Sequence, residues 1–158
     1  MMRRIVRVML PTAALFAAYL IAASAYAATE PPDPCSLLTP SQVSSVMRAT
    51  YTPPVKSAAP KPYANSGPGT DCRYNGRNPL IFRIYYDGST SDASSLFAKV
   101  KPFFGPNTPA SSIGDEAYFD KEGALHARKG NVRFYLDIGT DKQQDRLTKL
   151  GEIVAGQL

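Results

Sequence analysis

Leu125-His126-Ala127-Arg128-Lys129-Gly130-Asn131-Val132-Arg133-Phe134-Tyr135-Leu136-Asp137-Ile138 is the stretch from which the architecture can be built. Two alternating runs flank Gly130-Asn131. A two-residue connection with glycine first is a hairpin turn whose twist matches that of antiparallel strands. The turn sets Lys129 opposite Val132, hence Ala127 opposite Phe134 and Leu125 opposite Leu136. These apolar pairs share one face, so turn chemistry and hydrophobic pattern agree on the register. The other face then pairs His126 with Tyr135 and Arg128 with Arg133.

Working outward, residues 80–87 alternate as a strand, with Leu80, Phe82, Ile84 and Tyr86 on one face and Ile81, Arg83, Tyr85 and Asp87 on the other. A turn at residues 75–78 joins it to a shorter strand at Cys72-Arg73-Tyr74, and residues 117–119 form another before a turn at 120–123. Three helices complete the set. The first is announced by Thr39 as N-cap with Gln42 three residues on, Pro40 at the first helical position, and Leu38 with Val43 as a hydrophobic staple. The second runs over residues 91–101, with Ala93, Leu96, Phe97 and Val100 as its apolar stripe and Pro102 as its stop. Thr140 with Gln143 repeats the capping pattern before a C-terminal helix whose Leu147, Leu150, Ile153, Val154 and Leu158 must cover the sheet. The predicted order is helix, two strands, helix, three strands, helix. That is an α+β domain with an antiparallel sheet of about five strands and the helices packed on one face.

Residues 1–27 read as a cleavable signal peptide: Arg3, Arg4 and Arg7, an uncharged run from Val8 to Ala23, and the small-residue site Ala25-Tyr26-Ala27. Cleavage takes away three of the 18 basic residues, leaving 15 against 13 acidic ones, so the basic balance of the whole chain gives no support for a nucleic-acid partner. No further apolar run is long enough to span a bilayer, so no stable membrane insertion is expected after cleavage. The mature chain is predicted to be a Pro-rich lead at residues 28–34 and a single domain at 35–158, exported to the periplasm or the extracellular space. Its two cysteines, Cys35 and Cys72, allow one intramolecular disulfide in that oxidising setting. The bridge would close a loop containing residues 52–70, which are crowded with Pro, Gly, Ala and Ser and read as irregular.

No catalytic triad, phosphate loop, dinucleotide fingerprint or metal pattern is present, so no catalysis, cofactor or metal is expected. His126 is the only histidine and reads as a half-exposed sheet residue. Asp115 with Glu116, and Asp120 with Glu122, read as solvated turn carboxylates. One feature stands apart: Arg83, Tyr85, His126, Arg128, Arg133 and Tyr135 fall on one basic and aromatic sheet face. Like charges directly across strands repel, so Arg128 opposite Arg133 calls for an acidic neighbour or an anionic partner, such as an acidic protein surface or an anionic envelope polymer.

Asp33-Pro34-Cys35-Ser36-Leu37-Leu38-Thr39, Cys72-Arg73-Tyr74, Ile113-Gly114-Asp115-Glu116-Ala117-Tyr118 and Leu125-His126-Ala127-Arg128-Lys129-Gly130 occur in an order that resembles the exported family called domain of unknown function 3558. More distantly, the chain is similar to the extracellular sensor domains of mycobacterial receptor kinases. The resemblance implies a small cell-envelope α+β domain without established catalysis, and it supplies no site residues. Many members are lipoproteins, whereas this chain lacks a lipid-attachment cysteine directly behind its apolar segment. The expectation from sequence is an exported binding or interaction module. The alternatives are a small extracytoplasmic enzyme using a cleft near His126, or a structural envelope protein.

Overall fold

A computed structural model describes residues 33–158. The segment read as a signal peptide and most of the Pro-rich lead lie outside the described residues. The described chain forms strands β1 (Val55–Ala58), β2 (Gly69–Tyr74), β3 (Leu80–Tyr86), β4 (Thr108–Pro109), β5 (Glu116–Phe119), β6 (Leu125–Lys129) and β7 (Val132–Asp137). Its helices are α1 (Pro40–Met47), α2 (Thr90–Val100) and α3 (Gln144–Gln157). The strands make one antiparallel sheet in the order β1-β2-β3-β7-β6-β5-β4. The α+β class and antiparallel sheet agree with the sequence, but the described residues form seven strands rather than about five. Both additions are edges. β1 lies inside the segment read as irregular, and all four of its residues are exposed; β4 is two residues ending in a proline, which an edge tolerates because its N–H is not needed.

The β6–β7 hairpin has the expected register, with Leu125 opposite Leu136, His126 opposite Tyr135 and Arg128 opposite Arg133. Gly130 takes φ +56°, a conformation glycine adopts without strain. The face bearing Phe82, Ile84, Leu125, Ala127, Phe134 and Leu136 is buried beneath α1 and α3, whose Val43, Met47, Leu147, Leu150 and Val154 join the same core. α1 starts as its sequence says: Thr39 and Gln42 form a reciprocal capping box. It ends at Arg48, which caps it in a left-handed conformation (φ 53°, ψ 43°). Thr140 does not cap α3. Its hydroxyl accepts from the Lys142 N–H in a 3-10 turn at Asp141–Gln143, after which α3 begins.

The expected packing of all helices on one face needs correction. α2 lies on the opposite face, where Phe97 meets Tyr118 with ring centroids 5.2 Å apart. Tyr118 pairs across the sheet with His126, not with the Leu125 row. An amphipathic stripe dictates that a helix must bury one side; it carries no information about which side of a sheet receives it.

Two features hold the layers together. Cys35 and Cys72 form a disulfide with Cα atoms 5.4 Å apart, bridging 37 positions. Gly151 lets α3 close on the sheet, since a Cβ there would come within 2.6 Å of Leu125 Cδ2. Replacing both cysteines by serine is expected to lower unfolding free energy by about 3 to 4 kcal/mol through loop-closure entropy, read from the urea midpoint with unchanged slope. Gly151→Val is expected to destabilise by about 1 to 3 kcal/mol by overpacking. An unaltered midpoint would mean that helix and sheet can separate freely at this point.

Candidate functional site

The turn after β5 begins with Asp120, whose Oδ1 accepts the N–H groups of Glu122 and Ala124, both at 2.9 Å. A side-chain carboxylate bonded to its own following backbone is a standard means of fixing such a turn. It leaves Oδ2 free, and the hairpin brings that oxygen 2.9 Å from His126 Nε2. Both residues are buried. Burial works to raise the Asp120 pKa, but the His126 and backbone hydrogen bonds together hold it below its ordinary value. The carboxylate is therefore ionised, and an acceptor-only group requires His126 Nε2 to carry the proton and donate it.

Three rings surround the imidazole. Tyr118 stacks on it nearly parallel, at 4.8 Å and 6°. Phe104 lies 4.5 Å away and Tyr135 meets it edge-on at 4.9 Å. Phe104 arrives there because Pro102 turns the chain from α2 into a 3-10 segment at Lys101–Phe104. Between these rings and α2 lies a cavity of about 140 Å3. Phe97 and Val100 of α2 line it, together with Phe104, Tyr118, His126 and Tyr135; Arg83, Tyr85, Arg133 and Pro62 complete its wall. Burial pushes the Tyr118 hydroxyl pKa up, and the nearby Asp120 charge adds to the effect, so the phenol stays neutral. That hydroxyl is buried and has no hydrogen-bond partner.

Five of the six residues singled out from sequence, Arg83, Tyr85, His126, Arg133 and Tyr135, thus line one cavity. Arg128 does not. The face is not the open basic surface that alternation suggested: Tyr85, His126, Arg128 and Arg133 are all buried, and each arginine has a carboxylate within the chain. Arg83 makes a two-point contact with Asp71, its cross-strand neighbour, at 2.6 and 2.8 Å. Arg133 grips Asp87, at 3.0 Å through Nη2 and also through Nε, and its guanidinium lies over the Tyr85 ring at 5.0 Å. Arg128 reaches Asp115 at 2.8 Å and Glu116 at 3.1 Å. The Arg128–Arg133 repulsion is answered by acidic neighbours on either side.

Backbone approaches permit those pairings. Gly67 lies against the Tyr86 carbonyl, where a Cβ would come within 1.6 Å, and its N–H donates to Asp87 Oδ1. The Pro/Gly-rich segment is therefore docked on the sheet. The Tyr85 hydroxyl donates to the Pro60 carbonyl at 2.7 Å, and Pro62 contributes cavity wall. Gly114, at φ +61°, lies against the Arg128 carbonyl, where a Cβ would come within 2.4 Å, and that carbonyl accepts the Asp115 N–H at 2.7 Å. Asp71, Asp87, Asp120, Phe97, Phe104 and Tyr118 belong to this site and escaped sequence reasoning as site residues. Among the described residues, no three His, Cys, Asp or Glu side chains are grouped to hold a metal ion.

Because the Asp120 pKa is depressed on folding, the stability it adds is fully present above its ordinary value of 3.8 and is lost as pH falls through the lower folded-state value. Asp120→Asn is expected to cost about 1 to 3 kcal/mol near neutrality. It should also flatten the acid limb of the stability profile below pH 3.8, followed by thermal unfolding across pH. A variant whose acid limb matches the wild type would remove Asp120 from the account.

No protein family model matches the chain, and no curated protein matches it. Among solved structures, the fold is similar to the extracellular domain of PknH from Mycobacterium tuberculosis, with a TM-score of 0.52 and 11% sequence identity. The match covers 77% of this chain and 92% of that domain. At this identity the likeness is one of fold, and it agrees with the receptor-kinase half of the resemblance read from sequence.

Proposed function

We propose that the protein is an exported recognition module, of the periplasm or the cell exterior, that holds a ring-sized group of its ligand in the cavity beneath α2 and carries out no reaction on it. The observation that carries this reading is the aromatic-rich cavity, one of whose wall residues, Tyr118, keeps a buried hydroxyl without a partner. A buried hydroxyl without a partner costs about 1 to 3 kcal/mol, which an occupant offering an acceptor would recover. The volume matches one ring: a void of about 150 Å3 lined by apolar groups takes up benzene. Since Arg83 and Arg133 already carry carboxylates, ring shape would weigh more than bulk charge in selecting the ligand. Of the two anionic partners considered, an envelope polymer built from ring-sized units fits such a cavity, whereas a folded acidic protein surface could not enter it.

Export is supported by the N-terminal residues and by the disulfide, which persists in oxidising compartments. The order of the four resembling segments supports a distant relation to the domain of unknown function 3558 family. The fold shared with an extracellular domain supports the sensor-type reading. A second reading, a small enzyme, is favoured by the buried His126–Asp120 pair. Against it, His126 Nε2 is committed to Asp120, and among the described residues no Ser, Thr or Cys lines the cavity to act as nucleophile.

Proton NMR of the disulfide-bonded protein titrated with N-acetylglucosamine and with benzoate tests the proposal. At least one probe should shift the ring signals of Tyr118, His126 and Tyr135 saturably. Tyr118→Phe should weaken that binding while stabilising the empty protein by about 1 kcal/mol, because it removes an unsatisfied group. Failure of both ring probes to bind, or a destabilised Tyr118→Phe protein, would count against the site. Turnover of a bound probe would replace this reading with the enzymatic one.

A further inference from the structure

A second cavity, separate from the aromatic one, opens where the C-terminal end of α1, the β2–β3 turn and the first turn of α3 meet. Its volume is about 450 Å3, within the range of small-molecule sites. Each of the three elements contributes one arginine to its lining: Arg48 after α1, Arg77 in the turn, and Arg146 on α3. Among the described residues, no carboxylate lines the cavity and none pairs with any of the three. This is the reverse of the aromatic site, where Arg83 and Arg133 each have an acid. We infer that this cavity binds a phosphoryl-bearing small molecule or headgroup.

The walls fix the backbone that carries these arginines. Tyr51 is buried, its ring lies where a Gly76 Cβ would come within 2.8 Å, and its hydroxyl donates to the Asn78 carbonyl at 2.7 Å. The Thr52 N–H donates to the Asn75 carbonyl at 3.0 Å, so the turn carrying Arg77 is clamped from one side along its length. Arg146 uses Nη1 to reach the Met47 carbonyl and Gln143 Oε1, both at 2.8 Å. The first bond covers the negative end of α1, which would otherwise repel an anion. Arg48 has φ 53°, in the left-handed region where a glycine would sit without strain after a helix. An arginine there is strained, and it adds a third cationic residue to the cavity lining.

Charge selects the ligand class. Three guanidiniums exceed what a single carboxylate can neutralise, whereas a phosphoryl group carries about −1.5 to −2 and presents three acceptor oxygens to planar donors. The room beyond one tetrahedral ion admits a diphosphate or a phosphorylated sugar. A phospholipid headgroup and a soluble phosphoryl compound offer the same chemistry.

The test is calorimetric titration of the disulfide-bonded protein with inorganic pyrophosphate. Saturable binding is expected, weakened about tenfold or more by Arg77→Gln. Arg48→Gly should weaken it as well, while raising the melting temperature by a few degrees as the backbone strain is released. A purely structural arginine would not separate those two readouts. Lys61→Gln, an equal change in net charge at an exposed residue elsewhere, should bind like the wild type. No saturable binding into the millimolar range would overturn the inference. So would normal binding by both arginine variants, or an equal loss in Lys61→Gln, which would reveal bulk charge alone. Vesicles identify the source. Capture by phosphatidylglycerol but not phosphatidylcholine vesicles, reversed by pyrophosphate and lost in Arg77→Gln, supports the headgroup; pyrophosphate binding with neither vesicle captured supports the soluble compound. None of these results depends on the aromatic cavity.

Discussion

Arg128 and Arg133 stand opposite each other because a glycine-led turn fixes their register, and both are buried. Two like charges cannot share a buried sheet face unless each is compensated where it stands, since removing one partner of a buried ion pair costs about 3 to 5 kcal/mol. Much of the surrounding chain is arranged by that requirement. The 113–116 loop must come close enough to offer Asp115 and Glu116, so Gly114 adopts a backbone angle few residues tolerate. The end of β3 must offer Asp87, so the segment before β2 folds across it and presents Gly67 and Ser66 to the same cluster. What reads as an irregular Pro/Gly-rich connection is in this part a fitted cover over an ion pair.

The same compensation explains why a sheet can be covered on both faces when only one reads as apolar. Arginine, tyrosine and histidine bring long aliphatic or aromatic bodies with polar tips. Once the tips are paired with Asp71, Asp87 and Asp120, what remains is surface on which Phe97 and Val100 can pack. α1 and α3 cover the aliphatic face by shape and apolar burial; α2 covers the other over a layer of neutralised charges and rings. The two layers differ in how they respond to solvent conditions. Acid protonates Asp120 beneath α2 and leaves the aliphatic face chemically unchanged.

What could be read beforehand follows from which signals are local. The Gly130-Asn131 turn, the Thr39–Gln42 capping box, the alternation of residues 80–86 and the lone cysteine pairing are each written within a few residues or forced by counting, and the structure agrees with all of them. β1 left no such mark because its four exposed residues have no buried face to generate alternation. Asp120 was visible as a turn residue, but one carboxylate serving both its own turn and a histidine six positions on requires knowing how β5 and β6 align. Asp71 illustrates a nearer miss. Carrying the β2 strand three residues back from Tyr74 would have placed it directly across from Arg83. The side of the sheet taken by α2 depends on the path of residues 101–115, whose irregular course is set by contacts remote in sequence.

The disulfide, considered above for the entropy of a closed loop, also routes mechanical load. A pull through the chain preceding Cys35 enters the sheet at β2 through the sulfur–sulfur bond and continues into β3 beyond it. α1, β1 and the cover over Arg133 all lie inside the covalent ring, off the tensile path. A domain held at that end against flow or the drag of an attached polymer would keep those parts slack while the paired strands bore the tension. Extension would have to pull β3 from its neighbours, and the covalently enclosed chain could not lengthen at all while the disulfide stayed intact.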